Sequence, residues 1–170
     1  MKYSKIIALS AISSALCLVL LILGAFVEVF DLSCLFLASI VIMIPLSKGY
    51  ALGAFLSYMA SGLLGLLLTG KFQIIIPFAM FFGLHPIVNF LQEKYKINKI
   101  LALVVKAAWF IGTLFVTYYF TTLFVVETEW IKQYIVPIIL IGGAAFFVFY
   151  DFFMFKFQEG VNNLVKRLKL

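Results

Sequence analysis

The feature that most constrains this chain is its series of long apolar runs, separated by short polar segments. The first run extends from Ile6 to Val27 without a charged residue, and a helix of roughly 20 apolar residues is long enough to cross the hydrocarbon core of a bilayer. Such runs fill most of the chain, because 65% of the residues are hydrophobic and only 12% are charged. A protein of this composition cannot remain dissolved as a monomer, so we predict that it folds in a membrane.

Breaks in the apolar pattern divide the chain into six predicted spans. They cover about residues 6–27, 32–46, 49–69, 72–92, 100–126 and 134–157. The second is short for a full crossing, and a re-entrant or interfacial segment is the alternative there. Six helices of roughly 20 residues leave no room in 170 residues for a separate soluble domain. The sequence therefore predicts an all-α polytopic membrane protein, in which residues 1–170 form a single bundle of six transmembrane helices.

The distribution of Lys and Arg predicts the orientation of this bundle, because cytoplasmic segments of membrane proteins carry an excess of basic residues. With the N-terminus inside, the cytoplasmic segments hold Lys2, Lys5, Lys48, Lys94, Lys96, Lys99, Lys156, Lys166, Arg167 and Lys169. The outer segments hold Lys71 and Lys132, and Lys106 falls within the fifth span. We therefore predict that both termini are cytoplasmic.

The polar residues give little sign of a catalytic, metal or nucleic-acid site. Cys17 and Cys34 lie inside apolar runs without the spacing of a metal site or a disulfide framework, and a single histidine, His85, provides no nucleophile and base pair. The segment 65–71 matches the start of a P-loop, but Phe72 stands where Ser or Thr binds magnesium. The net charge of +6 is dispersed among short segments. We predict a protein that is not an enzyme, holds no metal or cofactor and binds no nucleic acid.

Small residues mark two helices that pack closely against neighbours. Those of the third span recur at intervals of four, as Gly49, Gly53, Ser57, Ser61 and Gly65. In the first span, Ala11 and Ala15 form an AxxxA pair, and further alanines and serines make several faces small. Such faces allow helix backbones to approach each other within the bilayer. The third-span stripe suits a neighbour in the same chain or in another protein, and the first span has room for an external partner beside an internal one.

Three ionisable residues fall inside the predicted spans at similar depth. His85, Lys106 and Asp151 lie about 12, 10 and 8 Å from the nearest cytoplasmic charge, at 1.5 Å per helical residue. An unpaired charge at such a depth costs at least about 2.5 kcal/mol. We therefore predict an ion pair between Lys106 and Asp151, to which His85 and Asn89, one turn apart, can be added. This pair either fixes the register of the helices or acts in proton transfer or substrate contact.

Polar side chains and glycines in the outer half of the last two spans indicate a pocket. On the fifth span, Thr113, Thr117 and Thr121 form a polar stripe with Tyr118 and Thr122 beside it, although threonine hydroxyls can also bond to carbonyls of their own helix. In the sixth span, residues 142–145 are glycine and alanine, and a cluster of aromatic residues follows. Small residues outside and aromatic residues inside would form a cavity that is open outward. Phenylalanines facing lipid are the alternative explanation of the aromatic cluster.

Six short spans, two cytoplasmic ends and an alanine-rich first helix with the pair Ala11 and Ala15 resemble the substrate-binding S-component of energy-coupling factor (ECF) vitamin transporters. The resemblance implies that this pair contacts an ECF-type transmembrane coupling subunit, driven by partner ATPases, in a bacterial cytoplasmic membrane. It also implies that a vitamin-like small molecule binds in the outer half, among the later helices and the outer loops. The residues that would contact this molecule are Thr117, Tyr118, Thr121, Glu28, Asp31, Lys71 and Trp130.

Two other functions are compatible with the sequence. The chain could be an integral-membrane adaptor or regulatory protein, which binds another membrane protein through the small residues of the first and third spans and takes no ligand. It could instead be a self-sufficient proton-coupled transporter in which Lys106 and Asp151 relay the proton. Binding of a small molecule would distinguish an S-component from an adaptor. Loss of transport after neutralisation of the ion pair would identify the proton-coupled transporter.

Overall fold

The computed structural model of the chain describes residues 2–123 and 129–167, without the side chains of residues 2, 3, 28, 130, 131 and 132. Within these ranges all regular secondary structure is helical. The α-helices are α1 (Lys2–Phe26), α2 (Asp31–Leu46), α3 (Ala51–Thr69), α4 (Phe72–Pro77), α5 (His85–Lys94), α6 (Lys99–Thr122), α7 (Glu129–Pro137) and α8 (Gly143–Arg167). A 3-10 turn, Glu28–Phe30, precedes α2, and π-helical turns at Phe78–Phe82 and Ile138–Gly142 follow α4 and α7.

Five helical segments are long and apolar enough to cross a membrane. They are Ser4–Phe26, Ala51–Thr69, Phe72–Lys94, Lys99–Thr122 and Gln133–Arg167. The second predicted span corresponds to α2, which has 16 residues and is about 24 Å long, less than the roughly 30 Å of the hydrocarbon core. For the described residues, the prediction of an all-helical fold with several apolar helices of membrane length is confirmed.

The stripe of small residues on α3 packs inside the bundle. Gly53, Ser57, Ser61 and Gly65 are buried, and Ser57 Oγ donates a hydrogen bond to the Ser10 carbonyl of α1 over 2.8 Å. A Cβ on Gly53 would come within 2.5 Å of the Ser10 hydroxyl oxygen, so the missing side chain lets α1 and α3 approach closely. Of the two interpretations of this stripe, contact within the same chain is the one that the structure shows.

The fourth predicted span is interrupted in its middle, whereas its hydropathy alone predicts one continuous helix. The segment Phe72–Lys94 is the most deeply buried of the five described membrane-length segments. Its helix α4 ends at Pro77, a π-helical turn follows, and α5 begins at His85. Prolines and π-helical turns both interrupt the regular pattern of helical hydrogen bonds. The interruption leaves backbone carbonyls without their normal helical partners inside the bundle.

A tyrosine from another helix bonds the first of these carbonyls. The Gly83 N–H donates to the Phe78 carbonyl over 2.8 Å, as in a π-helix, and therefore does not bond the Ala79 carbonyl four residues back. The Tyr58 hydroxyl of α3 donates to that Ala79 carbonyl over 2.8 Å. Membrane helices tolerate such breaks where neighbouring groups satisfy the freed backbone.

A serine from α2 bonds the second free carbonyl. Pro86, the second residue of α5, has no N–H to donate to the Phe82 carbonyl. Ser39 Oγ is fully buried and donates to that carbonyl over 2.7 Å. The helices α2 and α3 thus stabilise the interruption with side-chain donors that lie far from it in the sequence.

Gly83 lies in the interruption, where even a methyl side chain would clash with neighbouring residues. A Cβ there would overlap the rings of Tyr58 and Phe78, and Tyr58 is held by its hydrogen bond to Ala79. We expect Gly83→Ala to destabilise the protein by about 1–3 kcal/mol, the usual cost of overpacking, which would lower its melting temperature in detergent. Gly112→Ala is the matched control, because Gly112 faces open space on α6, and it should melt at or above the wild-type temperature. Equal melting temperatures of the two variants would contradict this packing.

Candidate functional site

A cluster of buried polar side chains lies inside the bundle. Lys106 Nζ of α6 lies 2.6 Å from Asp151 Oδ1 of α8, and His85 Nε2 of α5 lies 2.9 Å from the same oxygen. Asn89 Oδ1 accepts a hydrogen bond from Lys106 Nζ over 2.9 Å, and Asn89 Nδ2 donates to Asp151 Oδ1 over 3.4 Å. The structure thus brings the three ionisable residues of the predicted spans together, with Asn89 as a fourth member.

Three helices place these side chains side by side. His85 is the first residue of α5, directly after the interruption, and Asn89 follows one turn later on the same face. Lys106 and Asp151 each lie in the first half of their helices, α6 and α8. The exposed fractions are 0% for His85, 2% for Lys106 and 6% for Asp151. One positive and one negative charge therefore compensate each other in a place where a lone charge would be costly.

The His85 ring lies among aromatic side chains at the edge of this cluster. Its centroid is 4.9 Å from that of Phe81 and 4.8 Å from that of Tyr150. Because Nε2 faces the Asp151 carboxylate, we assign the ring proton to Nε2, which then donates to Oδ1. His85 Nδ1 is buried and has no hydrogen-bond partner in the described part of the chain. Among the described residues, the hydrogen-bond chain therefore ends at this ring, which donates to Asp151.

A cavity of about 430 Å³ lies at the end of the bundle that holds Asp31, which we call the Asp31 end. Its wall comes from α2, α4, α6, α8 and both π-helical turns. The lining residues are Asp31, Leu32, Leu35, Pro77, Phe82, Phe110, Leu114, Thr117, Ile138, Ile139, Gly142, Gly143 and Phe146. This volume falls within the range of small-molecule pockets, roughly 300–1,000 Å³.

The wall of the cavity changes from polar to aromatic with depth. Asp31 is the first residue of α2, and Thr117 is the lining residue of α6 closest to the Asp31 end. Along their own segments, Phe82, Phe110 and Phe146 are the lining residues farthest from that end. Asp31 and Thr117 therefore form the mouth of the cavity, and the three phenylalanines form its floor.

Aromatic rings separate the cavity from the polar cluster. The ring centroid of Phe110 in the floor lies 4.7 Å from that of Phe81, which in turn lies 4.9 Å from that of His85. Phe110 also stacks on Phe146, with 5.8 Å between centroids. Gly142 and Gly143 line the wall above this floor. Small residues therefore lie toward the mouth and aromatic residues toward the floor, which is the order that the sequence predicted for a cavity. One layer of aromatic side chains thus lies between the cavity floor and His85.

The seven residues predicted to contact a substrate do not gather in one place. Asp31 and Thr117 line the cavity, whereas Lys71 lines a separate crevice of about 310 Å³. Tyr118 and Thr121 are not part of the cavity wall, and the Thr121 hydroxyl donates to the Thr117 carbonyl of its own helix over 2.9 Å. The two remaining predictions concern side chains outside the described residues, those of Glu28 and Trp130.

Most residues of the cavity wall were not predicted from the sequence. Leu35, Leu114 and Ile139 line the cavity, but nothing in the sequence distinguishes them from the many aliphatic residues that are exposed on the helices. A signal for the interruption beside the cavity was available, because Pro77 and Pro86 fall within one predicted span. Hydrophobic spans interrupted by proline or glycine are pointers to binding sites in transporters.

The small residues of α1 divide between internal packing and an exposed surface. Ser13 Oγ donates to the Val41 carbonyl of α2 over 2.8 Å, and the Ser10 carbonyl accepts a hydrogen bond from α3. Ala11 and Ala15 lie on the exposed side of α1. An AxxxA surface therefore remains that the described residues leave uncovered.

The arrangement joins an interrupted helix, a buried ion pair beside it and a cavity at one end of the bundle. In transporters, discontinuous helices can bind substrates and ions through the free backbone groups of the break. In this chain Ser39 and Tyr58 bond two such carbonyls, so the cavity is the better place for a ligand.

No protein-family model, no curated protein and no solved structure matches the chain.

Proposed function

We propose that the protein is a membrane-embedded substrate-binding subunit that captures a vitamin-like small molecule from outside the cell. In this proposal it has six transmembrane helices, with both termini in the cytoplasm of a bacterium, and catalyses no reaction. It depends on an ECF-type coupling subunit and partner ATPases for energy. The observation that carries the proposal is the cavity of about 430 Å³, with Asp31 and Thr117 at its mouth.

The charge distribution supports an outward-facing cavity. Lys48, Lys94, Lys96 and Lys99 lie at or next to the helix ends opposite the Asp31 end. By the excess of basic residues in cytoplasmic segments, these ends face the cytoplasm, and the mouth of the cavity then faces outward. The phenylalanine floor separates a bound ligand from the cytoplasmic side, as suits a subunit whose ligand release is driven by other components.

The buried cluster supports a structural role for the ion pair in this function. Lys106 and Asp151 compensate each other's charge, and His85 Nδ1 has no described partner to which a proton could pass. The cluster joins α5, α6 and α8 beneath the cavity floor and so fixes their register. The energy for transport then has to come from partner subunits.

Identification of the bound molecule is the direct test of this proposal. The full-length protein, purified in mild detergent, is analysed by native mass spectrometry, and a panel of water-soluble and lipid-soluble vitamins is titrated by calorimetry. We expect either a co-purified small molecule or a vitamin that binds with micromolar or tighter affinity, about −8 kcal/mol. If neither is found, and no other small molecule binds, the proposal is wrong.

Bulky substitutions of the exposed alanines on α1 test the coupling partner. We expect Ala11→Trp or Ala15→Trp to reduce capture of a co-expressed ECF-type coupling subunit at least about tenfold, the effect of losing about 1.4 kcal/mol of contact energy. Ligand binding should not change, because the cavity is on other helices. Gly112→Trp, in open space on α6, is the matched control and should leave capture unchanged in quantitative co-purification. Full capture by both alanine variants would contradict this prediction.

A proton-coupled transporter is the second candidate, because the ion-pair cluster lies close to the cavity floor, with one aromatic layer between them. The double variant Lys106→Met with Asp151→Asn distinguishes the two functions. If the protein relays protons through this pair, the wild type takes up substrate in vesicles that contain no ATPase, and the double variant does not. If the protein is a binding subunit, neither form takes up substrate in these vesicles, and the double variant still binds its ligand and its partner. An adaptor without a ligand would instead keep its partner and give an empty ligand screen.

A further inference from the structure

We infer that the cavity takes a small membrane-soluble amphiphile, with an apolar body and one small polar group. This inference rests on the proposed function and specifies its class of substrate. The small size follows from the cavity volume of about 430 Å³, which lies in the lower part of the roughly 300–1,000 Å³ range of small-molecule pockets. The chemical class follows from the wall, the mouth and the rim of the cavity.

The wall offers few partners to a polar ligand. Among the described residues that line the cavity, Asp31 and Thr117 have polar side chains, and the Thr117 hydroxyl already donates to the Thr113 carbonyl over 2.8 Å. A ligand with many amide, hydroxyl or phosphate groups would bury them without hydrogen-bond partners, and binding would weaken with each one. A ligand whose body is apolar avoids this loss.

The order of the lining residues orients such a ligand. Its polar group lies at the mouth, where Asp31 favours a hydrogen-bond donor or a weakly basic group. Its apolar body lies against the floor formed by Phe82, Phe110 and Phe146, whose rings provide a large apolar contact area. The ligand therefore has its polar and apolar parts at opposite ends.

The rim of the cavity adjoins the hydrocarbon of the membrane. Leu32 on one side and Ile138 on the other line the cavity, and their exposed fractions are 51% and 49%. Exposed aliphatic side chains of membrane helices contact lipid tails, which are as apolar as leucine. A molecule dissolved in the outer leaflet can therefore enter the cavity between these side chains without first passing into water.

The test uses 1-aminoanthracene, a fluorescent amine of matching size, added to the full-length protein in phosphatidylcholine nanodiscs, with empty nanodiscs subtracted. We expect saturable binding to the wild type. Gly142→Phe, at a lining position with open space around it, should weaken binding at least tenfold. Gly143→Val should have the same effect, because its Cβ would come within 2.8 Å of Leu114 in the wall. Gly112→Phe, in open space outside the wall, is the matched control and should bind like the wild type.

The possible failures separate this inference from the proposed function. If a polar vitamin binds and Gly142→Phe blocks it while 1-aminoanthracene does not bind, the amphiphile is wrong and the binding subunit stands. If 1-aminoanthracene binds equally to the wild type and to both wall variants, it lies outside the cavity and the inference fails. If no compound binds at all, both proposals fail. A wall variant with a melting temperature far below that of the control is set aside in favour of the other one.

Discussion

Replacing Lys106 by methionine is expected to destabilise the folded protein by about 3–5 kcal/mol, the cost of removing one partner from a buried ion pair. The variant leaves the Asp151 carboxylate, 6% exposed, with hydrogen bonds from His85 and Asn89 as its described contacts. The positive charge that lay 2.6 Å away is then missing. Reversible unfolding from mild detergent into dodecyl sulfate, followed by circular dichroism, measures the free energy of unfolding.

The double variant Lys106→Met with Asp151→Asn is the matched control for this prediction. The asparagine oxygen can still accept the hydrogen bond from His85 Nε2, and no buried charge remains. Because neutral replacement of both partners of a buried pair is often close to neutral in stability, we expect the double variant to recover most of the loss. Additive losses from Lys106→Met and Asp151→Asn would show that the two residues are not coupled, and would contradict a structural ion pair.

Ser39→Ala has the second large expected effect, because the Ser39 hydroxyl is hydrogen-bonded to two buried groups outside its own helix. Its hydroxyl donates to the Phe82 carbonyl over 2.7 Å and accepts a hydrogen bond from the Tyr150 hydroxyl over 3.0 Å. A buried polar group left without a partner costs about 1–3 kcal/mol. This variant removes the Ser39 partner of two such groups, the Phe82 carbonyl and the Tyr150 hydroxyl. We expect the loss to appear in the same unfolding measurement.

Ser14→Ala is the matched control for Ser39→Ala. The Ser14 hydroxyl is part-buried and donates to the Ser10 carbonyl of its own helix over 2.9 Å, a bond that α1 does not need for its backbone. We expect a change in stability within about 0.5 kcal/mol for this variant. A loss for Ser39→Ala no larger than that of the control would mean that the interruption does not depend on α2.

The helical fold, with several apolar helices of membrane length, and the approximate helix limits could be predicted from the sequence. The hydropathy pattern predicted six apolar spans, and each corresponds to a helical segment of the structure. The second span was predicted to be short, and α2 has 16 residues. The ion pair could also be anticipated, because unpaired charges are too costly inside apolar spans. Because few ionisable groups lie at that depth, Lys106 was the expected ion-pair partner of Asp151.

The candidate substrate residues were harder to predict. Thr117 and Thr121 were expected to act together, yet Thr117 lines the cavity while the Thr121 hydroxyl bonds to its own helix. A polar stripe on a helix does not reveal which neighbour it faces. The apolar wall, with Leu114 among its members, gave no signal for a similar reason, because lipid and the protein interior select the same side chains.

The sequence by itself determined that this chain forms apolar helices of membrane length, since insertion of a helix into lipid depends on that helix's own residues. The tertiary structure alone decided where the fourth span breaks and where the cavity lies. Ser39 and Tyr58 are distant in the chain from the carbonyls of Phe82 and Ala79 that they bond. Such groups meet only when the helices pack, so no local pattern of residues could place them.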